Sequence, residues 1–316
     1  MKTALIIGIN GNFGRHMASA LRAQGWQIRA LMRTPSKAPD WLDVQSIIAG
    51  DARDASSVER AAEGVDLLVY AANPPYHRWH QDAMAMLEPA VQAAETRKLQ
   101  LLFPGNVYAY APQTNPIDEG TTVNPPTDKG AIRVQMEARL QQAASRGARV
   151  LILRAGDFIG PDTEWTWLDL TAKVGARAVQ MRFPHNEEHH HYWSYLPDLC
   201  ANAALLLKEP LGDFEVFHDP GLSLTRADWR QAFAERQISV RESSFPWWGL
   251  WLARLASPLM REVWKMRYLW QQPVLMDGRR LITTLGDRRQ QTRLADVIDQ
   301  CGLRPNVVVS VASETH

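Results

Sequence analysis

The chain opens on an apolar run of strand length, Thr3 to Gly8, then takes on helical periodicity from Arg15 to Gln24 and stops at Gly25. Trp26 to Met32 is a second apolar run, followed by a loop rich in proline and serine. Val44 to Ile48, Asp66 to Ala71, Gln100 to Phe103 and Arg149 to Leu153 repeat the short apolar pattern, and residues 80 to 97 and 128 to 145 are helical in period. Strands of Val, Ile and Leu separated by helices require right-handed crossovers and a parallel sheet covered on both faces. The pattern therefore predicts an α/β fold with a doubly wound parallel sheet.

After Gly160 and Pro161 that rhythm breaks. Residues 162 to 195 hold tryptophans and a histidine group but few clear elements, and 198 to 208 look helical, with Asp198 placed to cap. A second apolar stretch, FPWWGLWLARLASPLMREVWKMRYLW, runs from Phe245 to Trp270. Ligands of open parallel sheets bind beyond the carboxyl ends of the strands. The expected division is a nucleotide-binding domain over 1–160, with a return to it near 192–220, and a smaller C-terminal substrate or lid region over 161–316.

Composition narrows the classes. The 316 residues are 46% hydrophobic and 22% charged with a net charge of +1, which gives no argument for a nucleic-acid partner. Cys200 and Cys301 share no metal-ligand spacing, so free thiols in a reducing compartment, the cytoplasm, are expected. The apolar N-terminus is broken by glycines and Asn10 and reads as a buried strand, not a signal peptide.

Gly8, Gly11 and Gly14 lie between the first strand and the first helix. Close approach of a diphosphate excludes a Cβ there, and the helix N-terminus offers free N–H groups and partial positive charge. Asn10, Asn12, Phe13 and Arg15 complete the expected contacts of this loop. An NAD enzyme usually carries a carboxylate at the end of the second strand; here the chain has Leu31, Met32 and Arg33, with no acid until Asp40. Arg33, with Arg15, suits a 2′-phosphate, so NADP(H) is expected over NAD(H). Asp51, beside Ala52, is placed either to meet the adenine edge or to cap the next helix. Ala71 and Ala72 keep the fourth strand's end small, and Asn73 begins a sharp turn.

The stretches GINGNFG, IAGDARD, YAANPP, LLFPGNVYAY, KGAIRVQME, LRAGDFIGP and WSYLPDL, in this order between Lys2 and about Leu207, resemble the NAD-dependent epimerase/dehydratase-like proteins. These stand on the extended and atypical side of the short-chain dehydrogenase/reductase superfamily. The resemblance implies a Rossmann domain with a smaller C-terminal substrate region. It also implies a serine before V-Y, a proton-donating tyrosine and a lysine four residues later. This chain has no serine in Phe103–Tyr108, and the other two positions hold Lys129 and Arg133.

A tyrosine has an ordinary pKa of about 10 and needs a neighbouring cation to exchange protons at neutrality. Arg133 can stay positive and hold ribose hydroxyls but cannot carry a proton. Lys129, one turn away, or Tyr108 or Tyr110 past the fifth strand, are the expected proton carriers; a solvated helix face is the other reading of Lys129 and Arg133. Asn106 meets a substrate carbonyl or closes a turn. Asp157 is catalytic or caps nearby N–H groups, and Phe158 or Ile159 meets the cofactor carboxamide.

Two readings of function follow. One is an oxidoreductase or epimerase/dehydratase relative acting on a small carbonyl, alcohol or sugar-type molecule. The other is a redox sensor that binds the nucleotide without catalysis. The group from His185 to His191 looks extended, so its side chains should diverge, and no metal is expected. The tryptophan-rich stretch is interrupted by Pro246, Gly249 and Pro258, too broken to span a bilayer. A lid or a homodimer interface is favoured there over membrane contact.

Overall fold

The computed structural model describes residues 1–272 and 274–305. Seven parallel strands form the main sheet: β1 (Thr3–Ile7), β2 (Gln27–Met32), β3 (Ile47–Ala49), β4 (Leu67–Tyr70), β5 (Gln100–Asn106), β6 (Arg149–Ala155) and β7 (Phe214–Asp219). Their order across the sheet is 3-2-1-4-5-6-7. The reversal between β1 and β4 opens the crevice in which such sheets bind ligands.

Helix α1 (Asn12–Ala23) covers one face with the helix Leu196–Leu206, burying Met17, Leu21, Leu199 and Ala203. On the other face lie α2 (Ala55–Ala61), α3 (Trp79–Arg97) and α4 (Asp128–Ser145), which bury Val58, Leu87, Val91, Met136 and Leu140. Each strand is thus apolar on both sides, as its sequence requires. A third, largely aromatic core of Phe183, Trp193, Trp229, Phe233 and Trp270 holds the C-terminal lobe together.

Two local expectations are corrected, and the break expected at Pro258 is seen. Val44–Ser46 is not strand: Asp43 Oδ1 accepts from Gln45 N at 2.9 Å and caps a single 3₁₀ turn, leaving a three-residue β3 at the sheet edge. Asp198 lies inside the helix Leu196–Leu206 and caps nothing, because its carboxylate instead accepts from Thr292 N and Oγ1. The stretch from Phe245 folds as three short helices, Trp247–Ala256, Pro258–Lys265 and Tyr268–Gln271. Pro258 cannot continue the first of them, and Ser257, extended, caps the second through Met260 N at 3.3 Å. No helix among the described residues is long and apolar enough to cross a membrane.

A buried polar knot ties α4 to the sheet. Arg154, 2% exposed on β6, grips Glu137 with two bonds of 3.0 and 2.8 Å, donates to the Asn106 carbonyl at 2.5 Å and meets His218 Nε2 at 3.2 Å. Removing the cation strands Glu137 and that carbonyl, so Arg154→Leu should cost about 3–5 kcal/mol. Arg53→Leu, which breaks the exposed pair with Asp51, should leave stability almost unchanged. Urea midpoints of the two variants give the comparison.

Candidate functional site

The carboxyl end of β1 runs into Gly8 with φ +96°. A Cβ there would stand 2.7 Å from Ala71 C and Ala72 N, and one on Gly14 would stand 2.2 Å from the Gly8 carbonyl oxygen. Both positions exclude every other residue. Gly11 sits at the N-cap of α1 without a side-chain cap, and the first turn of the helix carries no acid. The result is a helix N-terminus with open N–H groups beside a backbone too close for side chains, which fits the diphosphate of a dinucleotide.

The neighbouring side chains are occupied by other parts of the fold. Asn10 Nδ2 donates to the Lys37 carbonyl at 2.9 Å. The Asn12 amide pairs twice with the Glu164 backbone, at 2.7 and 3.1 Å. Arg15 donates to the carbonyls of Asp162 and Asn10, and Phe13 stacks on Phe158 at 6.3 Å between centroids. The loop after Gly160 therefore lies against the glycine loop. Ala71 and Ala72 are partly buried beside Gly8, and Asn73 is exposed.

Asp51 neither caps the following helix nor stands free for a base edge. Its carboxylate is clamped by Arg53 at 2.8 Å and held down to about 2, chiefly by that bond, while Asp54 is the cap of α2 and Ala52 is buried.

Beyond β5 the expected proton-handling residues divide. Asn106 Oδ1 accepts from Tyr108 N at 3.0 Å and so closes a turn. That turn buries Tyr108 with its hydroxyl 2.7 Å from the Tyr76 hydroxyl. Gly130 of α4 makes the packing feasible, since a Cβ there would lie 2.1 Å from the Tyr108 carbonyl oxygen. Burial, aided by Tyr76 and Asp157, drives the Tyr108 phenol well above its ordinary range. Tyr110 faces elsewhere, packed on the Arg154 guanidinium at 5.1 Å.

Arg133 lies over the rings of Trp79 and Phe103 at 5.0 and 5.1 Å and donates to the Pro104 carbonyl at 3.2 Å. Its Nε, with the hydroxyls of Tyr70 and Tyr268, is buried without a partner among the described residues. The solvated reading of Lys129 is corrected. It is 2% exposed, and its ammonium is ion-paired with Glu262 from the helix Pro258–Lys265, 5.4 Å from the Tyr76 ring.

Tyr76 and Glu262 are the residues the sequence reading missed, and it did not foresee that Asp157 pairs with His191. Among the described residues Asp157 caps no N–H group; its Oδ2 meets His191 Nε2 at 2.8 Å across the parallel pairing of Asp157–Ile159 with His191–Tyr195. The histidines do not diverge. Their loop folds back before the strand begins, so that the rings of His185, His189 and His191 gather and His191 stacks 3.5 Å from Trp270. No cluster of three or more potential ligands among the described residues could hold a metal.

Residues 8–156 match a family model described as NAD(P)H-binding. The chain is 29% identical to a ceramide reductase of Caulobacter vibrioides over 100 residues, 29% of this chain and 32% of that one. It is also 29% identical to a 3-diazoavenalumate denitrifying reductase of a Streptomyces species over 178 residues, 50% and 57% of the two chains. The chain thus spans about a third and somewhat over half of the lengths of these curated relatives. Its fold matches UDP-glucose 4-epimerase of Thermus thermophilus, solved with NAD, at a TM-score of 0.68 and 17% identity over 95% of this chain and 99% of the other.

The NADP(H) expectation is overturned here. Solved structures that share this fold, two epimerases and a dehydratase among them, were captured with NAD. The local physics agrees at Arg15, which is spent on two backbone carbonyls.

Burial pushes His185 and His189 down to about 4, so both stay neutral in the folded protein, whereas an unfolded histidine takes up its proton near pH 6.5. Their contribution to stability is present above about pH 6.5 and is lost as pH falls toward 4. Melting at pH 5 should lie several degrees below melting at pH 7.5, and His189→Gln should reduce that difference; scanning calorimetry at both pH values measures it.

Proposed function

We propose that this chain is an NAD(H)-dependent oxidoreductase of the epimerase/dehydratase-like kind, acting on a small carbonyl or alcohol or a sugar-type substrate. One observation carries the proposal. The uncapped glycine cradle lies at the same end of the sheet as a buried group whose polar atoms lack partners, the hydroxyls of Tyr70 and Tyr268 and Nε of Arg133. Buried polar groups are rarely left unpaired, and here a ligand would supply their bonds.

Gly8, Gly11 and Gly14 would hold the diphosphate, with Ala71, Ala72 and Phe158 along the cofactor's path. Bound there, the nicotinamide supplies or accepts a hydride. Arg133 places a fixed cation at the ribose or substrate oxygens and moves no proton. As the hydride reaches the carbonyl carbon, the Tyr108 hydroxyl gives its proton to the carbonyl oxygen; the Tyr76 hydroxyl, 2.7 Å away, returns a proton to Tyr108 and is itself reprotonated from water. Lys129 takes no part in this transfer because Glu262 neutralises it in place. Both curated relatives are named as reductases, which favours the reductive direction.

Titration of NADH fluorescence with purified protein should show binding that Gly14→Val abolishes. Against a panel of aldehydes and ketones, Tyr108→Phe should leave the NADH Kd within about twofold and lower turnover by about 10²-fold or more. Because burial raises the Tyr108 phenol, the donor form persists at high pH, and reductive turnover should stay level past pH 9. Absence of NADH binding contradicts the proposal. Firm binding with no turnover on any carbonyl returns the non-catalytic redox sensor, the reading favoured by the loss of both usual proton-handling identities at Lys129 and Arg133.

A further inference from the structure

The loop from Gly160 to Thr166 crosses the start of α1 and is fastened along its length. The Pro161 carbonyl lies 3.1 Å from His16 Nε2, and the Asp162 carbonyl accepts from Arg15 at 2.7 Å. Thr163 Oγ1 donates to the Gly160 carbonyl at 2.9 Å, and the Glu164 backbone is paired with the Asn12 amide. Thr166 N donates to Asp169 Oδ2 at 2.7 Å, where the helix Trp167–Thr171 begins. Trp165 stands between these fixed points at φ +58°, the left-handed region that strains a bulky side chain and suits glycine. Its side chain is 91% exposed, more than any other large apolar one among the described residues. Backbone strain thus holds an indole in water, and strain of this kind gathers at ligand clamps.

The position of the indole names its ligand. Glu164, one residue before Trp165, is bonded to Asn12, and Asn12 opens α1 directly after the uncapped Gly11. The strained tryptophan is therefore carried beside the helix end and glycine cradle that fit a dinucleotide diphosphate. We infer that Trp165 is the cover of that site: on binding, its indole leaves water and lies across the dinucleotide where it passes the N-terminus of α1. This rests on the dinucleotide reading of the cradle. Trp165 is a binding residue only, and no bond is made or broken through it. An indole suits the task, because taking its large apolar face out of water favours the closed complex. Excluding water from one side of the diphosphate also strengthens its attraction to the N–H groups of α1.

Titration calorimetry of the full chain with NADH and with ADP-ribose tests it. Glycine adopts φ +58° without strain, so Trp165→Gly should melt no lower than the wild type. Its Kd for both nucleotides should nevertheless rise about tenfold or more, as loss of a tryptophan anchor does. Trp165→Phe keeps a ring and should lose less. Subtracting the fluorescence of Trp165→Phe from that of the wild type isolates this indole. Acrylamide should quench it readily in the free protein and poorly at saturating ADP-ribose. Unchanged affinity in Trp165→Gly overturns the inference and leaves the dinucleotide site standing. So does an indole that stays open to acrylamide in the complex, or a variant that melts lower and binds as before, which would make the residue structural. A wild type that binds neither nucleotide overturns this inference and the dinucleotide reading together.

Discussion

The Gly8 carbonyl oxygen occupies the space where a side chain on Gly14 would begin, and Gly8 itself lies against the backbone of Ala71 and Ala72. This packing brings the end of β1, the start of α1 and the end of β4 within van der Waals distance of one another. No residue but glycine allows it, because a Cβ at either position meets backbone that cannot move aside. From it follows the uncapped helix end at the switch point of the sheet. The loop after β6 then folds onto that helix through Asn12, Arg15 and Phe13.

The second organising feature is a buried polar group at the ends of β4, β5 and β6. Under the proposed function, its chemistry departs from the pattern that the sequence resemblance implies. The helix position that usually supplies a phenol supplies Lys129, and Glu262 reaches it from the C-terminal lobe. A phenol pair, Tyr76 and Tyr108, is provided by turns following β4 and β5 instead. The cation of Arg133 is retained but fixed over two aromatic rings. Burial holds both phenols protonated, which suits donation to a carbonyl better than abstraction from an alcohol.

Much of the framework is written in local periodicity. The helix over residues 128–145 and the short Val/Ile/Leu strands are where the pattern places them, because each element is apolar on the faces it buries. The edge was less legible: Val44 belongs to a capped turn, a competition that apolar content alone does not reveal. What the site adds lies in pairs distant along the chain. Lys129 and Glu262 are 133 residues apart, and Asp157 and His191 are 34 apart. Glu262, a lone acid among the basic residues of its stretch, was the one hint that it meets a cation elsewhere. Arg33 misled because a basic residue at the end of β2 is no phosphate site by itself, and Arg15, which was to join it, is spent on backbone carbonyls.

The central claim is that the glycine cradle and the phenol group form one continuous NAD(H) site. Hydrogen–deuterium exchange followed by mass spectrometry, with and without NADH, addresses it directly. The account predicts slowed exchange in peptides covering residues 8–16, 70–79 and 104–110 together, with little change in those covering 226–256. Protection confined to the C-terminal lobe, or no protection in any of the three segments at saturating NADH, would contradict it.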